Sequence, residues 1–220
     1  MTALIEVDDV TVRFGADVVA LDRCRLRVDQ GEFVAVTGPS GSGKSTLLNV
    51  LGLLHRPSDG GYRLGGEPTA DLDERGRAAK RARDIGFVFQ SFHLIGHRTV
   101  HDNVALGGLY QRLSPTARAE AADRHIAQVG LSHRRDALAG TLSGGESQRA
   151  AVARSLMGEP LLLLCDEPTG NLDSQNTEAI LALLEALNAD GMTIVVITHE
   201  EEVARRAGRR VVLRDGAVEE

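Results

Sequence analysis

Nine consecutive residues, Gly38-Pro39-Ser40-Gly41-Ser42-Gly43-Lys44-Ser45-Thr46, carry the plainest chemistry in this sequence. They fit Gly-x-x-x-x-Gly-Lys-Ser, a loop whose backbone N–H groups wrap phosphate oxygens. Gly41 and Gly43 have no Cβ to hold a phosphate off the backbone, and both tolerate positive φ. Lys44 supplies a mobile positive charge for the β- and γ-phosphates of a nucleotide, and the Ser45 hydroxyl a ligand for Mg²⁺. Only Lys44 and Lys80 among the 25 Lys and Arg residues are lysine. A lysine at the one required position therefore weighs against a chance Gly/Ser-rich turn.

Other candidates cluster at the ends of apolar runs. Leu161–Cys165 is continuously apolar and runs into Asp166-Glu167. Two adjacent carboxylates there are costly unless they do work. Asp166 is placed to hold Mg²⁺ through water and Glu167 to polarise an attacking water, whereas capping the next helix explains one acid at most. His199 ends the apolar run Met192–Thr198, and Gln90 ends Ile85–Phe89, where α/β proteins place ligand contacts. Ser143-Gly144-Gly145 precedes a helix and forms a second anion-binding loop, without a lysine of its own. Ser143 with Glu146 also reads as a capping box, and the two readings are compatible.

Elements to position these residues are legible around them. Gly31–Thr37 reads as a buried strand and Ser45–Leu51 as a helix start, the strand–loop–helix setting that the phosphate loop needs. Leu4–Phe14 and Val18–Val28 alternate in polarity, as two half-buried antiparallel strands laid on the nucleotide core would. Phe14 ends the first of them just before Gly15, where it either stacks on a base or packs as an ordinary strand residue. Gly60–Gly66 is hairpin-like, and Asp71–Arg83 reads as a solvated, Arg-rich helix. Thr99–Gly140 has helical periodicity and no strand. Val100, Val104, Leu106 and Leu109 mark one helix, and Pro115–Val129 a second that starts at Ser114-Pro115. Ala150–Leu156 and Thr177–Leu187 are further helices, Val211–Val218 a final hairpin, and Arg205–Arg210 a solvated face or partner patch.

Composition sets the outer bounds. A chain of 220 residues, 42% hydrophobic and 25% charged, is one soluble globular domain. No apolar run approaches the ~20 residues of a membrane span. Met1–Glu6 has neither a basic flank nor an apolar signal core, so the chain is expected in the cytoplasm. Cys24 and Cys165 are expected as reduced core thiols. A net charge of −6 argues against coating nucleic acid.

In order and spacing, these motifs resemble an ABC-type ATPase over essentially the whole chain. Gly38–Thr46 matches the Walker A loop, Gln90 the Q-loop and Leu142–Gln148 the signature sequence. Leu161–Glu167 matches Walker B with its catalytic glutamate, Asn171-Leu172-Asp173 the D-loop and His199 the switch histidine; Phe14 falls at the adenine-stacking position. Ile85–Leu94, Asp166–Ser174 and Thr198–Glu200 look like the branch serving lipoprotein release, macrolide or peptide export, and cell division (LolD-, MacB- and FtsE-like). Three departures stand out. Glu146 replaces the glutamine of many signatures, although this branch often carries Glu. Ile95–Arg98 and Ala139–Thr141 each lack a usual proline, at places where the helical subdomain would meet a membrane partner.

The resemblance implies an α/β P-loop NTPase (RecA-like) core with an N-terminal antiparallel β subdomain and an inserted α-helical subdomain. Residues 1–220 form one ABC domain, with 1–90 and 157–220 as the core and 91–156 as the helical part. It implies ATP bound by Phe14, Gly38–Thr46 and, across a head-to-tail homodimer, Ser143, Gly144, Gly145 and Asp173. Mg²⁺ falls to Ser45, Gln90 and Asp166, and catalysis to Glu167, with His199 and Gln90 reporting the γ-phosphate. The implied function is that of the ATP-binding subunit of a bacterial transporter, peripheral on the inner face of the cell membrane. It drives an integral membrane permease for export or lipoprotein release and has no nucleic-acid partner. The alternative is a regulatory ATPase signalling through a membrane partner to cell-wall hydrolases.

Overall fold

The structure, a computed structural model, describes residues 2–15, 17–111 and 113–219. Along the chain come β1 (Ala3–Phe14), β2 (Val18–Asp29), β3 (Phe33–Thr37), α1 (Lys44–Leu51), β4 (Asp59–Leu64), β5 (Glu67–Pro68), α2 (Glu74–Asp84) and β6 (Ile85–Phe89). Then follow α3 (Val100–Leu106), α4 (Pro115–Gln128), α5 (Gly144–Ser155), β7 (Leu162–Asp166), α6 (Ser174–Ala189), β8 (Thr193–Ile197), α7 (Glu201–Arg206), β9 (Arg209–Arg214) and β10 (Ala217–Glu219).

The strands form two sheets. β10-β9-β3-β8-β7-β6 is six-stranded and parallel except for the β9–β10 hairpin. β2-β1-β4-β5 is antiparallel. Strands β3 and β8 are buried at every position, as expected where helices or a second layer cover both faces of a parallel sheet. Period-two alternation then divides each apolar run between two cores. Leu162 and Leu164 face a cluster with α1 and the antiparallel sheet. Leu163 and Cys165 face another with α3, α4, α5 and α6. β1 and β2 pair as their alternation predicts, with bulges near Asp9 and Arg23, both at positive φ. Cys24 and Cys165 are free and buried.

Among the described residues of 91–161 there is no strand, only a single bridge between Thr99 and Leu138. Ser114 caps α4 with Pro115 in its first turn, as its sequence suggests. Leu109 departs from expectation: α3 ends at Leu106 and Leu109 is exposed. The chain turns away at Gly107, where a Cβ would stand 2.2 Å from the Arg154 carbonyl oxygen. Leu161 likewise lies exposed just before its strand. Among the described residues no helix is long and apolar enough to cross a membrane.

One polar expectation needs correcting. α2 is not simply solvated, because Arg77, Lys80 and Asp84 are buried along it. Its polar face turns inward because Lys80 Nζ finds Asp84 at 2.9 Å and Glu67 at 2.6 Å, while Arg77 donates to the Leu53 carbonyl at 2.8 Å. Arg205–Arg210 is a solvated face, as one of its two readings has it, and its arginines carry surface ion pairs. Arg206 pairs with Glu178 and Glu185, Arg209 with Glu32, and Arg205 and Arg210 with Glu201.

The Lys80–Asp84 pair is the costly kind to break. Asp84→Ala leaves a buried ammonium with one exposed carboxylate and is expected to destabilise by about 3 kcal/mol. The double change Lys80→Met with Asp84→Leu should stay within about 1 kcal/mol of wild type or exceed it. Urea unfolding midpoints measure both; an Asp84→Ala protein as stable as wild type refutes the pairing.

Candidate functional site

The C-terminal ends of β3, β7 and β8 lie side by side, and the phosphate loop leaves β3 beside them. A cleft of about 510 Å³ opens there, lined by Gly38, Ser40, Gly41, Gly43, Lys44, Ser45, Thr46, Gln90, Asp166, Glu167 and His199, with Ala20 and Ile197. Gly41 is in the left-handed region (φ 79°) with open space where a Cβ would be, so the backbone is reachable from the cleft. Gly43 (φ 100°) has a different constraint: a Cβ would sit 2.3 Å from the Ala20 carbonyl oxygen. Its absence lets β2 close against the loop rather than admitting a ligand. Lys44 folds back and donates to the carbonyls of Gly38 and Pro39, both at 2.8 Å. Ser42 is buried under the loop, its hydroxyl without a partner among the described residues, and its carbonyl accepts from Gly216 at 3.0 Å.

The acids differ in environment. Burial, then repulsion from Glu167, holds the Asp166 carboxyl above its usual range, against the pull of Lys44. Among the described residues it accepts no side-chain or backbone hydrogen bond. Glu167 has φ 45°, unusual for a residue with a Cβ and the kind of strain that clusters at functional sites. Its N–H donates to the Ile197 carbonyl at 2.9 Å. Its carboxylate lies 2.7 Å from His199 Nδ1, and this hydrogen bond, reinforced by the Glu167 charge, raises the His199 pKa. Neither acid caps the following helix; Asp173 does, accepting from Asn176 N at 2.8 Å.

Hydroxyl, amide and carboxylate oxygens from Ser45, Gln90 and Asp166 line the same cleft. That donor chemistry fits Mg²⁺, and the unbonded, charge-disfavoured Asp166 carboxylate is a group that a hard cation would satisfy.

Three expected site regions are absent from the cleft lining. Phe14 lies at the tip of β1, half exposed, its ring centroid 5.0 Å from that of His55. Ser143 and Gly144 are exposed at the start of α5, where the capping box is complete: Ser143 N–H donates to Glu146 at 2.8 Å, and Glu146 N–H to Ser143 Oγ at 3.3 Å. This bonding lowers the Glu146 pKa. Gly145 is packed so closely on Asn176 that a Cβ would lie 1.9 Å from its Oδ1. Because Asn176 also holds Asp173 at 2.9 Å, the signature and the D-loop form one unit away from the cleft.

Some contacts around the site had no signal in the sequence. Asn171 donates to the Gln90 carbonyl at 3.0 Å, and the buried Gln148 of α5 donates to the Pro168 carbonyl at 2.6 Å, next to Glu167. Arg154 donates to the carbonyls of Phe92 and His93, fixing the segment after Gln90. These pairs are 61 to 81 residues apart in two cases and 20 in the third, so no spacing announces them. The two stretches lacking proline meet. Ala139 N–H donates to Arg98 O and Gly140 N–H to Gly96 O, both at 2.9 Å, and proline at either donor would remove that bond.

A family model described as ABC transporter matches residues 21–170. The chain belongs to the ABC transporter family. This cassette is 48% identical over 220 residues to the macrolide export ATP-binding/permease protein MacB of Chlorobium luteolum, covering 99% of the chain but 33% of that protein. It thus spans about a third of the length of that relative. It is 47% identical over 193 residues to the uncharacterized ABC transporter ATP-binding protein YknY of Bacillus subtilis, covering 88% of the cassette and 84% of YknY. Among solved structures it superposes on a dimeric ATP-binding cassette in a post-hydrolysis state bound to ADP and Pi. The TM-score is 0.87 at 39% identity, over 98% of this chain and 97% of that one. The ABC ATPase cassette fold and the MacB-like branch expected from the motifs are both borne out, as is ATP hydrolysis as the enzyme class.

The Glu167–His199 bond has a measurable signature. The Glu167 carboxylate holds the His199 pKa above its ordinary 6.5, and Glu167→Gln should bring it back down. The sign follows from linkage: the pair stabilises fully below the unfolded-state value and is lost as pH rises through the raised one. NMR titration of the His199 ring tests this; an unaltered His199 curve in Glu167→Gln refutes the bond.

Proposed function

We propose that this cassette is the ATP-binding subunit of a bacterial transporter, hydrolysing ATP in a head-to-tail dimer to drive a separate membrane permease of the export or lipoprotein-release type. One observation carries the reading: Lys44, Asp166, Glu167 and His199 share a cleft, while Ser143 and Gly144 present an anion-binding helix start elsewhere. A second copy turned head to tail brings that helix start to the γ-phosphate held by Lys44. ATP then bridges two surfaces that neither chain joins by itself.

In this reading Gly38–Thr46 cradles the phosphates with backbone N–H groups, and Lys44 leaves the Gly38 and Pro39 carbonyls for the β- and γ-phosphate oxygens. Phe14 offers an aromatic face to adenine from the tip of β1. Mg²⁺, held by Ser45, Gln90 and Asp166, neutralises charge between the phosphates when bound. Glu167 accepts a proton from the attacking water; its bond to His199 Nδ1 keeps it oriented and leaves His199 Nε2 for the γ-phosphate. Ser143, Gly144 and Gly145 meet the charge that builds on the transferring group, with Asp173 beside them at the dimer seam. Loss of the γ-phosphate opens the dimer.

Coupling to the permease runs along β6. A groove of about 950 Å³, lined by Leu54, Phe87, Phe89, Leu106, Tyr110 and Arg154 among others, lies on the strand that ends at Gln90. An apolar segment of the permease seated there would feel Gln90 move. The names of the relatives support a membrane partner, since MacB is described as an ATP-binding/permease protein. Such a partner would hold the cassette on the inner face of the membrane.

Two variants test the chemistry. Glu167→Gln should bind ATP with near wild-type affinity, lose at least about 100-fold in turnover and run as a dimer with ATP on size exclusion; wild-type hydrolysis by this variant overturns the role of Glu167. Pull-down of the ATP-trapped form from native membranes should bring a permease. A small partner linked to cell-wall hydrolases would replace transport by signalling. Lys44→Ala should weaken ATP at least about 100-fold, the loss of a charge-assisted contact of roughly 3 kcal/mol; unchanged affinity in a titration refutes the phosphate loop.

A further inference from the structure

A second, smaller cavity of about 180 Å³ lies between the end of α1, β4 and α2, lined by His55, Arg56, Gly60, Tyr62, Thr69 and Arg77 among others. It shares no lining residue with the phosphate-loop cleft. Arg77 is only 3% exposed. One guanidinium nitrogen donates to the Leu53 carbonyl at 2.8 Å, Nε has no partner among the described residues, and no carboxylate pairs with it there. Arg81 donates to the same carbonyl at 3.0 Å. Leu53 itself holds φ 55°, a left-handed conformation that a leucine adopts only when its surroundings impose it. Arg56, on the rim, has Glu74 at 3.6 Å, and the Glu74 side chain is 84% exposed. Burial, with repulsion from Arg56 and Arg81, presses the Arg77 pKa down against the pull of Glu74.

A guanidinium does not shed its proton at any working pH, and a buried charge without a counter-charge is costly. Two arginines line one small cavity, a third reaches the same Leu53 carbonyl from outside the lining, and a single exposed carboxylate answers them. An anion resolves that imbalance. The guanidinium fork suits tetrahedral oxyanions, and the volume admits one phosphate group with a water but not a nucleoside.

We propose that this cavity is a second anion site that takes inorganic phosphate, with Arg77 as the buried anchor and Arg56 at the rim. The site is independent of nucleotide binding at Lys44.

The test follows the Arg77 Nε–H signal by NMR while inorganic phosphate replaces chloride at constant ionic strength. The signal should shift and saturate with a Kd of about 1 mM or tighter. Lys44→Ala should leave that Kd unchanged, which separates this site from the phosphate loop. Arg56→Gln, an exposed change that spares the fold, should weaken phosphate about tenfold. Phosphate should also raise the Tm of Lys44→Ala by roughly 3 °C at saturation. A signal that stays fixed, follows chloride equally, drifts without saturating, or loses its response in Lys44→Ala overturns the proposal, as does unchanged affinity in Arg56→Gln.

Discussion

The strands at the centre of the parallel sheet are buried on both faces, so their polar neighbours have one place to go. β3 and β8 carry no exposed residue, and β7 none before Asp166. Backbone hydrogen bonds are satisfied along the ladders, and apolar side chains fill the two cores on either side. Polar chemistry is thereby pushed to the strand ends. Lys44 follows β3, Asp166 and Glu167 end β7, and His199 follows β8, with Gln90 after β6. Their convergence is a consequence of packing strands in register, in the manner of ligand sites in open α/β sheets.

Within that cleft the charged groups are satisfied unequally. Lys44 donates to two loop carbonyls, Glu167 bonds His199, and the Asp166 carboxylate has no partner among the described residues. The Lys44 contacts are ones that phosphate oxygens can replace at small net cost, because the exchanged bonds are of similar kind. Glu167 is held by a strained backbone as well as by His199. Its carboxylate is thereby fixed from both ends.

The signature region obeys the opposite logic. Gly145, Asn176 and Asp173 are locked to one another, and Gln148 ties the same helix to the segment beyond Glu167. Motion at the end of β7 therefore has a rigid route into α5. The arginines at the end of α7 and the start of β9 are each paired with an acid, and exposed pairs of this kind contribute about 0–1 kcal/mol apiece. They tidy the surface more than they hold the fold.

Local chemistry made much of this readable from the chain. The phosphate loop, the alternation of β1 and β2, the apolar run of β7, the Ser143–Glu146 box and the Ser114-Pro115 start each rest on neighbours a few residues apart, and each stands where its pattern puts it. Strand ends were harder, as Leu161 shows, because an apolar residue on the rim looks like one inside. What the sequence could not reveal are contacts between distant segments: Glu167 on His199, Asn171 on Gln90, Gln148 on Pro168, and the burial of Lys80 and Arg77 in a helix whose composition reads as solvated. A polar residue is buried when a partner from elsewhere in the chain meets it, and only the tertiary fold decides which partners meet. So the sequence by itself determined the local patterns: the glycine loop, the apolar runs and the polar residues at their ends. The tertiary structure decided which of them share one cleft, and left Ser143 and Gly144 outside it because α5 starts beside α6, away from the ends of β3, β7 and β8.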